Sequence, residues 1–210
     1  MLDSFNKNQK YVLFLLFIFS IVWIFAAISP FSRHDWMLEN MLVVIIISVL
    51  SLTYKKFVFS NTSYTLIAIF MIIHELGAHY TYSLVPYEEW LNACCNWSLN
   101  EFMGWERNNF DRLVHLLFGL VWVYPAKEFL ERKLLLSNGL SWFFAVQSVM
   151  TFSLVYELIE WGVAMIFGGK LGMEYLGTQG DIWDAHKDML LAALGGLMPA
   201  LLFYKVGQKK

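Results

Sequence analysis

Carboxylates and imidazoles recur at helical spacing inside stretches that are otherwise strongly apolar. Glu75 and His79 are four residues apart, and Asp111 and His115 repeat that spacing with Arg112 beside them. Glu157 and Glu160 are three apart, and Asp181, Asp184 and Asp188 follow at spacings of three and four. Such spacings put the members of each set on one helix face, whereas His74, five residues before His79, points away from that face or to its edge. A charge at the centre of a bilayer costs about 2.5–3.5 kcal/mol, so these sets are expected to face one another. The carboxylates outnumber the permanent cations near them, Arg107, Arg112 and Lys187. Bound protons, a metal ion or open water would restore the balance. Imidazoles with several carboxylates make a reasonable ligand set for Zn²⁺, Mn²⁺ or iron. The metal-ligand candidates are Glu75, His79, His115, Asp184 and Asp188. The catalytic candidates are Glu157 or Glu160 as general base, Arg112 to hold an anionic head group, and Asp111 to orient His115 or bind metal. The four-residue spacing departs from the Glu-x-x-His pattern of di-metal helical bundles. The competing reading is that these side chains only hydrogen-bond between helices and hold a bundle together.

The elements that position them are dictated by composition. Of the 210 residues 58% are hydrophobic and 15% charged, against roughly 45–50% and about 25% in soluble domains. Mean hydropathy is +0.52, which excludes an ordinary water-soluble fold. A helix needs about 20 apolar residues to cross a hydrocarbon core of about 30 Å. Six runs qualify: about Tyr11 to Ser29, Met37 to Tyr54, Asn61 to Tyr82, Phe110 to Phe129, Leu140 to Phe167 and Ile182 to Tyr204. The first is too long for the core of a cleaved signal peptide, about 7–15 residues, and reads as an uncleaved anchor. The expected fold is all-α, a single polytopic bundle over residues 1–210, with a long loop from Ser83 to Asn109.

Basic residues orient the bundle, because short loops rich in Lys and Arg stay in the cytoplasm. With the N-terminus inside, the inner side holds ten bases, including Lys7, Lys10, Lys55, Lys56, Lys127, Arg132, Lys133, Lys209 and Lys210, and three acids, Asp3, Glu128 and Glu131. The outer side holds five bases and 14 acids, and all five histidines fall in the outer half or just outside it. Both termini are therefore expected in the cytoplasm of a bacterial-type inner membrane. His34 and Asp35 read as solvated in a short loop, and His186 as solvated near an outer helix end.

The remaining signals are weaker. Cys94 and Cys95 are adjacent, which excludes a spaced disulfide framework. They read as two loop thiols, with a strained vicinal or intermolecular disulfide as the alternative on an oxidising side. The segment Leu176 to Asp181 opens a helix with two glycines and is able to present backbone N–H groups to an anion. Arg107 and Arg112 would grip a phosphate or carboxylate, or neutralise Asp111 and its neighbours. The tryptophans fit interfacial belts.

Four strings in order, His74-Glu-Leu-Gly-Ala-His-Tyr-Thr-Tyr-Ser-Leu-Val-Pro86, Asn108-Asn-Phe-Asp-Arg-Leu-Val-His115, Tyr156-Glu-Leu-Ile-Glu-Trp161 and Leu176 to Met189, resemble the YjdF-type family of bacterial inner-membrane proteins. That resemblance implies location and carries no activity with it. More distantly, Asp111, Arg112 and His115 opening one helix, with Asp184, Asp188 and Gly195 in a later one, resemble VanZ-like membrane proteins, which implies the cell envelope and a lipid or lipid-linked substrate. Three functions are carried forward: a small metal-dependent membrane enzyme with a periplasm-facing pocket, an ion-coupled carrier whose carboxylates trade protons, and a structural partner in an envelope complex. Membrane lipids and a lipid-linked envelope substrate are the expected partners, nucleic acid is not, and the oligomeric state stays open.

Overall fold

Helices end where side chains take over the backbone's unmet hydrogen bonds, and this chain supplies such caps. Asn6 and Gln9 form a reciprocal capping box at 2.8 and 2.9 Å, while Ser32, Ser60 and Ser137 each accept a backbone N–H three residues on. In the computed structural model, which describes residues 6–207, these caps open four of nine helices. In chain order the helices are α1 (Lys7–Ala26), α2 (Arg33–Thr53), α3 (Asn61–His79), α4 (Tyr87–Cys95), α5 (Leu99–Met103), α6 (Phe110–Arg132), α7 (Asn138–Phe167), α8 (Gly169–Leu176) and α9 (Asp184–Gly207). The described residues contain no strand. Asp3, Lys209 and Lys210, counted above in the charge asymmetry, lie outside the described residues.

Five helices, α1, α2, α6, α7 and α9, are long and apolar enough to cross a membrane. Their outward residues are themselves apolar, among them Phe17, Phe25, Leu52, Phe152 and Leu201, as the surface of a bundle in lipid requires. The apolar centre of α3, Leu66 to Ile73, is diluted by Asn61, Thr62 and Ser63 at one end and His74, Glu75 and His79 at the other. α3 packs against α1, α2 and α6. Phe19, Val43, Ile67 and Met71 fill the space between α1, α2 and α3, and Phe70, Val114 and Val121 fill that between α3 and α6.

A second core, built on Val123, Trp142, Ala145, Val149, Ala192 and Ala200, joins α6, α7 and α9. α6 and α9 run parallel and touch backbone to backbone. A Cβ on Gly119 would overlap the carbonyl oxygen of Ala192, and one on Gly195 would overlap that of Leu116. Small residues are what permit such an approach within a membrane, where packing rather than hydrophobicity drives helix association. At the end of the bundle that carries Lys127 and Arg132, the buried Glu128 accepts from the Ser60 amide at 2.8 Å and from the Ser60 hydroxyl at 2.8 Å. The Ser63 hydroxyl and Arg132 complete its partners. One carboxylate thereby fixes the cap residue of α3 and ties that helix to α6.

The structure departs from the sequence reading at several helix ends and loops. The third helix stops at His79 rather than Tyr82, because Thr81 and Tyr82 both adopt φ 53°, the left-handed region, and reverse the chain. The loop from Ser83 to Asn109 contains α4 and α5, and Asn96 and Gly104 end them with φ of 51° and 65°. α2 begins at Arg33, so Asp35 lies in its first helical turn and is 2% exposed instead of solvated in a loop. His34 beside it is exposed, as expected.

Candidate functional site

The close contact of α6 and α9 sets the reach between their side chains. One turn before Gly119 stands His115, and one turn before Ala192 stands Asp188. Because the two helices are parallel and touching there, those side chains converge, joined by Asp111 from the turn above. One ligand atom from each of Asp111, His115 and Asp188 lies within 4.8 Å of the other two. From α7, Glu157 approaches the same imidazole. His115 Nε2 is 3.5 Å from Glu157 Oε1 and 3.6 Å from Asp111 Oδ1. Both distances are too long for hydrogen bonds. A tetrahedral ion with bonds of about 2.1 Å holds its ligand atoms about 3.4 Å apart, so the spacing suits a shared cation. Glu157 Oε1 and Asp188 Oδ1 are buried and have no hydrogen-bond partner, a costly arrangement for carboxylate oxygens unless something else meets them. These residues fit a divalent ion.

Beside this group lies a small polar cavity lined by Asp35 and Glu39 of α2, Asp111 of α6, Glu160 of α7, and Thr81, Tyr82 and Tyr175. Its volume is about 10 Å³, close to what one water needs. The left-handed turn at Thr81 and Tyr82 shapes one wall. It folds the Tyr82 ring back over Gly77, where a Cβ would come within 2.6 Å of the ring. The Tyr82 hydroxyl then reaches His74 Nδ1 at 2.5 Å, while His74 Nε2 lies 3.2 Å from the Glu39 carbonyl oxygen. A carbonyl only accepts, so Nε2 carries the proton and Nδ1 accepts from Tyr82. Tyr156 donates to Glu39 Oε2 at 2.9 Å.

The mouth of the site is held by ion pairs. Arg107 binds Asp184 Oδ1 at 2.6 Å and the Thr178 carbonyl at 2.7 Å. Arg112 binds Asp181 at 2.5 Å and Asp184 at 3.2 Å, and also Asn109 Oδ1 at 3.0 Å. Lys187 reaches Asp181 at 2.5 Å. The Lys187 hydrogen bond, with that of the Trp183 amide, holds the Asp181 carboxyl well below the usual aspartate range. The loop from Thr178 to Asp181 is thereby fastened to the start of α6.

The candidates of the sequence reading separate into groups. Asp111, His115, Asp188, Glu157 and Glu160 come together. Asp184 and Arg112 are near but engaged with each other, so Arg112 is paired with Asp181 and Asp184 rather than with Asp111. Glu75 is fully buried but faces Trp36 and Asn40 of α2. His79 lies apart: its Nδ1 meets the Ala26 carbonyl of α1 at 2.9 Å, and its ring packs edge-on against Tyr80. The shared face expected of Glu75 and His79 is therefore not used for one ligand set, and the imidazole turned toward the cavity wall is that of His74. Asp35, Glu39, Tyr82, Tyr156 and Tyr175 were missed. Two acids four residues apart, just before the unbroken apolar stretch of α2, were the available signal for Asp35 and Glu39.

A multi-helix membrane protein with a buried cluster of carboxylates around one imidazole is the class this fold and site define. The chain belongs to the family described as predicted membrane protein DUF2238, whose model matches residues 11–209. It is 34% identical over 179 residues to the inner membrane protein YjdF of Escherichia coli (strain K12), covering 85% of this chain and 81% of that protein. No solved structure matches.

Proposed function

We propose that this protein is a small metal-dependent membrane enzyme whose ligands are Asp111, His115 and Asp188, with Glu157 beside them as fourth ligand or general base. The observation that carries the reading is the convergence of those three ligand atoms within 4.8 Å, next to buried carboxylate oxygens that no hydrogen bond meets. A divalent ion bound there would supply Lewis acidity and a water of lowered pKa. The chain's own groups do the rest: Glu157, 3.5 Å from His115 Nε2, would accept the proton that such a water gives up, and Glu160 would orient Glu157 through their side-chain hydrogen bond. The substrate class, a lipid or lipid-linked envelope molecule, rests on the membrane setting and on the VanZ-like resemblance. In this reading α3 is a sixth span, both termini are cytoplasmic, and the site faces the periplasm, as the distribution of basic residues supports.

Metal analysis of protein purified in detergent without chelator tests the assignment. About one divalent ion per chain is expected, lost in His115→Ala and Asp188→Asn and retained in His79→Ala. No enrichment over a buffer control would overturn it. The small carboxylate cavity supports a second reading, an ion-coupled carrier. Proton flux through proteoliposomes that Glu39→Gln abolishes, in protein without metal, would favour it.

A further inference from the structure

At the opposite end of the bundle, α1 and α2 both pack on α3 but hardly touch each other. They meet where their connecting turn lies, with Trp23 Nε1 donating to Asn40 Oδ1 at 2.5 Å and the Trp23 and Trp36 rings 5.8 Å apart. From there they splay. The opening leaves an apolar groove of about 390 Å³, walled by residues such as Leu13, Leu16 and Ile47 and floored by Ala68 and Met71 of α3. Along α1 it runs from Gln9 to Phe19, a rise of about 15 Å. That is half of a hydrocarbon core of about 30 Å, the depth of one leaflet.

The groove's rim changes character. Gln9, Ser51, Tyr54 and Tyr64 stand at its open end, and Lys7, Lys10, Lys55 and Lys56 surround that end, all exposed. Among the described residues no carboxylate pairs with these four lysines. Polar groups at headgroup level and an apolar slot one leaflet deep match a lipid with a negatively charged head. A second copy meeting this face two-fold symmetrically would bring the same four unpaired lysines to the contact, whereas an anionic headgroup neutralises them.

We infer that this groove is a binding site for one anionic phospholipid, its phosphate held among Lys7, Lys10, Lys55 and Lys56 and one acyl chain lying between α1 and α2 on α3. The site is separate from the carboxylate cluster and does not depend on a metal there.

The test uses the full chain, delipidated in a neutral detergent and titrated with phosphatidylglycerol or phosphatidylcholine, with bound lipid counted by native mass spectrometry. One phosphatidylglycerol per chain is expected, at least tenfold tighter than phosphatidylcholine. The double change Lys55→Gln with Lys56→Gln should weaken phosphatidylglycerol roughly fivefold per lysine and leave phosphatidylcholine unchanged. Ala68→Phe fills the groove floor and should abolish tight binding at an unchanged melting temperature; Ser51→Phe narrows the groove from α2 if Ala68→Phe does not fold. Equal affinity for the two lipids, insensitivity to the lysine changes, or full binding in the filled variant would overturn the assignment. So would a dimer that disappears on filling the groove, which would make the occupant a second copy.

Discussion

Replacing Asp184 with asparagine separates the scaffold at the mouth of the site from the ligands behind it. Asp184 is 3% exposed, and one of its oxygens receives both Arg107 at 2.6 Å and Arg112 at 3.2 Å. Removing one partner of a buried ion pair costs about 3–5 kcal/mol. Here the arginine side chains are 14% and 19% exposed, and Arg112 keeps Asp181 at 2.5 Å, so water and the second carboxylate soften the loss. About 2–3 kcal/mol is expected. At about 2–4 °C per kcal/mol for a chain of this size, the melting temperature in detergent falls by about 4–12 °C. The double change with Arg107→Gln should cost less than the sum of the two single changes, because the two residues act as a pair. Metal content should stay at its wild-type value, since Asp184 is committed to the guanidiniums. An unchanged melting temperature, strict additivity in the cycle, or loss of metal in the single variant would each refute the reasoning.

Other perturbations bear on different parts of the bundle. Gly119→Leu forces α6 away from the α9 backbone, and both melting temperature and metal content should fall together; a stable variant with full metal would show that the contact does not set the ligand geometry. Because the folded pKa of Asp181 is depressed, its contribution is fully present above the ordinary aspartate value of 3.8 and is lost as pH falls below it. The melting difference between wild type and Lys187→Met should therefore be constant from about pH 8 to about pH 5 and close only in stronger acid, as thermal scans across pH would reveal. Glu128→Ala leaves the Ser60 amide and the Ser60 and Ser63 hydroxyls at the start of α3 without their acceptor and should cost about 1–3 kcal/mol, read as a lower melting temperature. Reporter fusions after Lys56 and Lys133 should read cytoplasmic and a fusion at Asn96 periplasmic; a cytoplasmic signal at Asn96 would reverse the proposed topology.

The long helices were legible because burial in lipid demands unbroken apolar runs, whereas the starts set by the Ser32 and Ser137 caps lie before the runs that began at Met37 and Leu140. The short helices α4, α5 and α8 lie between spans, where length and hydropathy say nothing, and left-handed residues such as Asn96 and Gly104 end two of them. Within the site, spacing predicted which side chains share a helix face but not which neighbour that face meets. α3 shows why. It is wrapped by α1, α2 and α6, so periodicity offers no single inward side: His79 turns to α1, Glu75 to α2 and His74 toward the Tyr82 turn. On α6, Asp111 and His115 were placed together by spacing, yet Asp188 and Glu157 joined them only through the glycine contact with α9 and the packing of α7. Arg112 was expected to hold an anionic head group or to neutralise Asp111 and its neighbours, whereas its long guanidinium side chain reaches Asp181 and Asp184 at the start of α9.

The parallel course of α6 and α9 bears on the site's electric field. Both helices, and α2 with them, present their N-terminal ends to the carboxylate cluster, and Asp35, Asp111 and Asp184 stand in the first turns of those ends. A helix N-terminus behaves as roughly half a positive charge whose influence fades within a turn. The acids there have their negative charge partly offset by backbone alone. Glu157 and Glu160 have no such support, since they lie in the second half of α7, far from its positive N-terminal end. Whatever positive species the chamber takes up, a proton or a metal ion, is therefore drawn toward the α7 wall, where the backbone leaves the negative charge uncompensated.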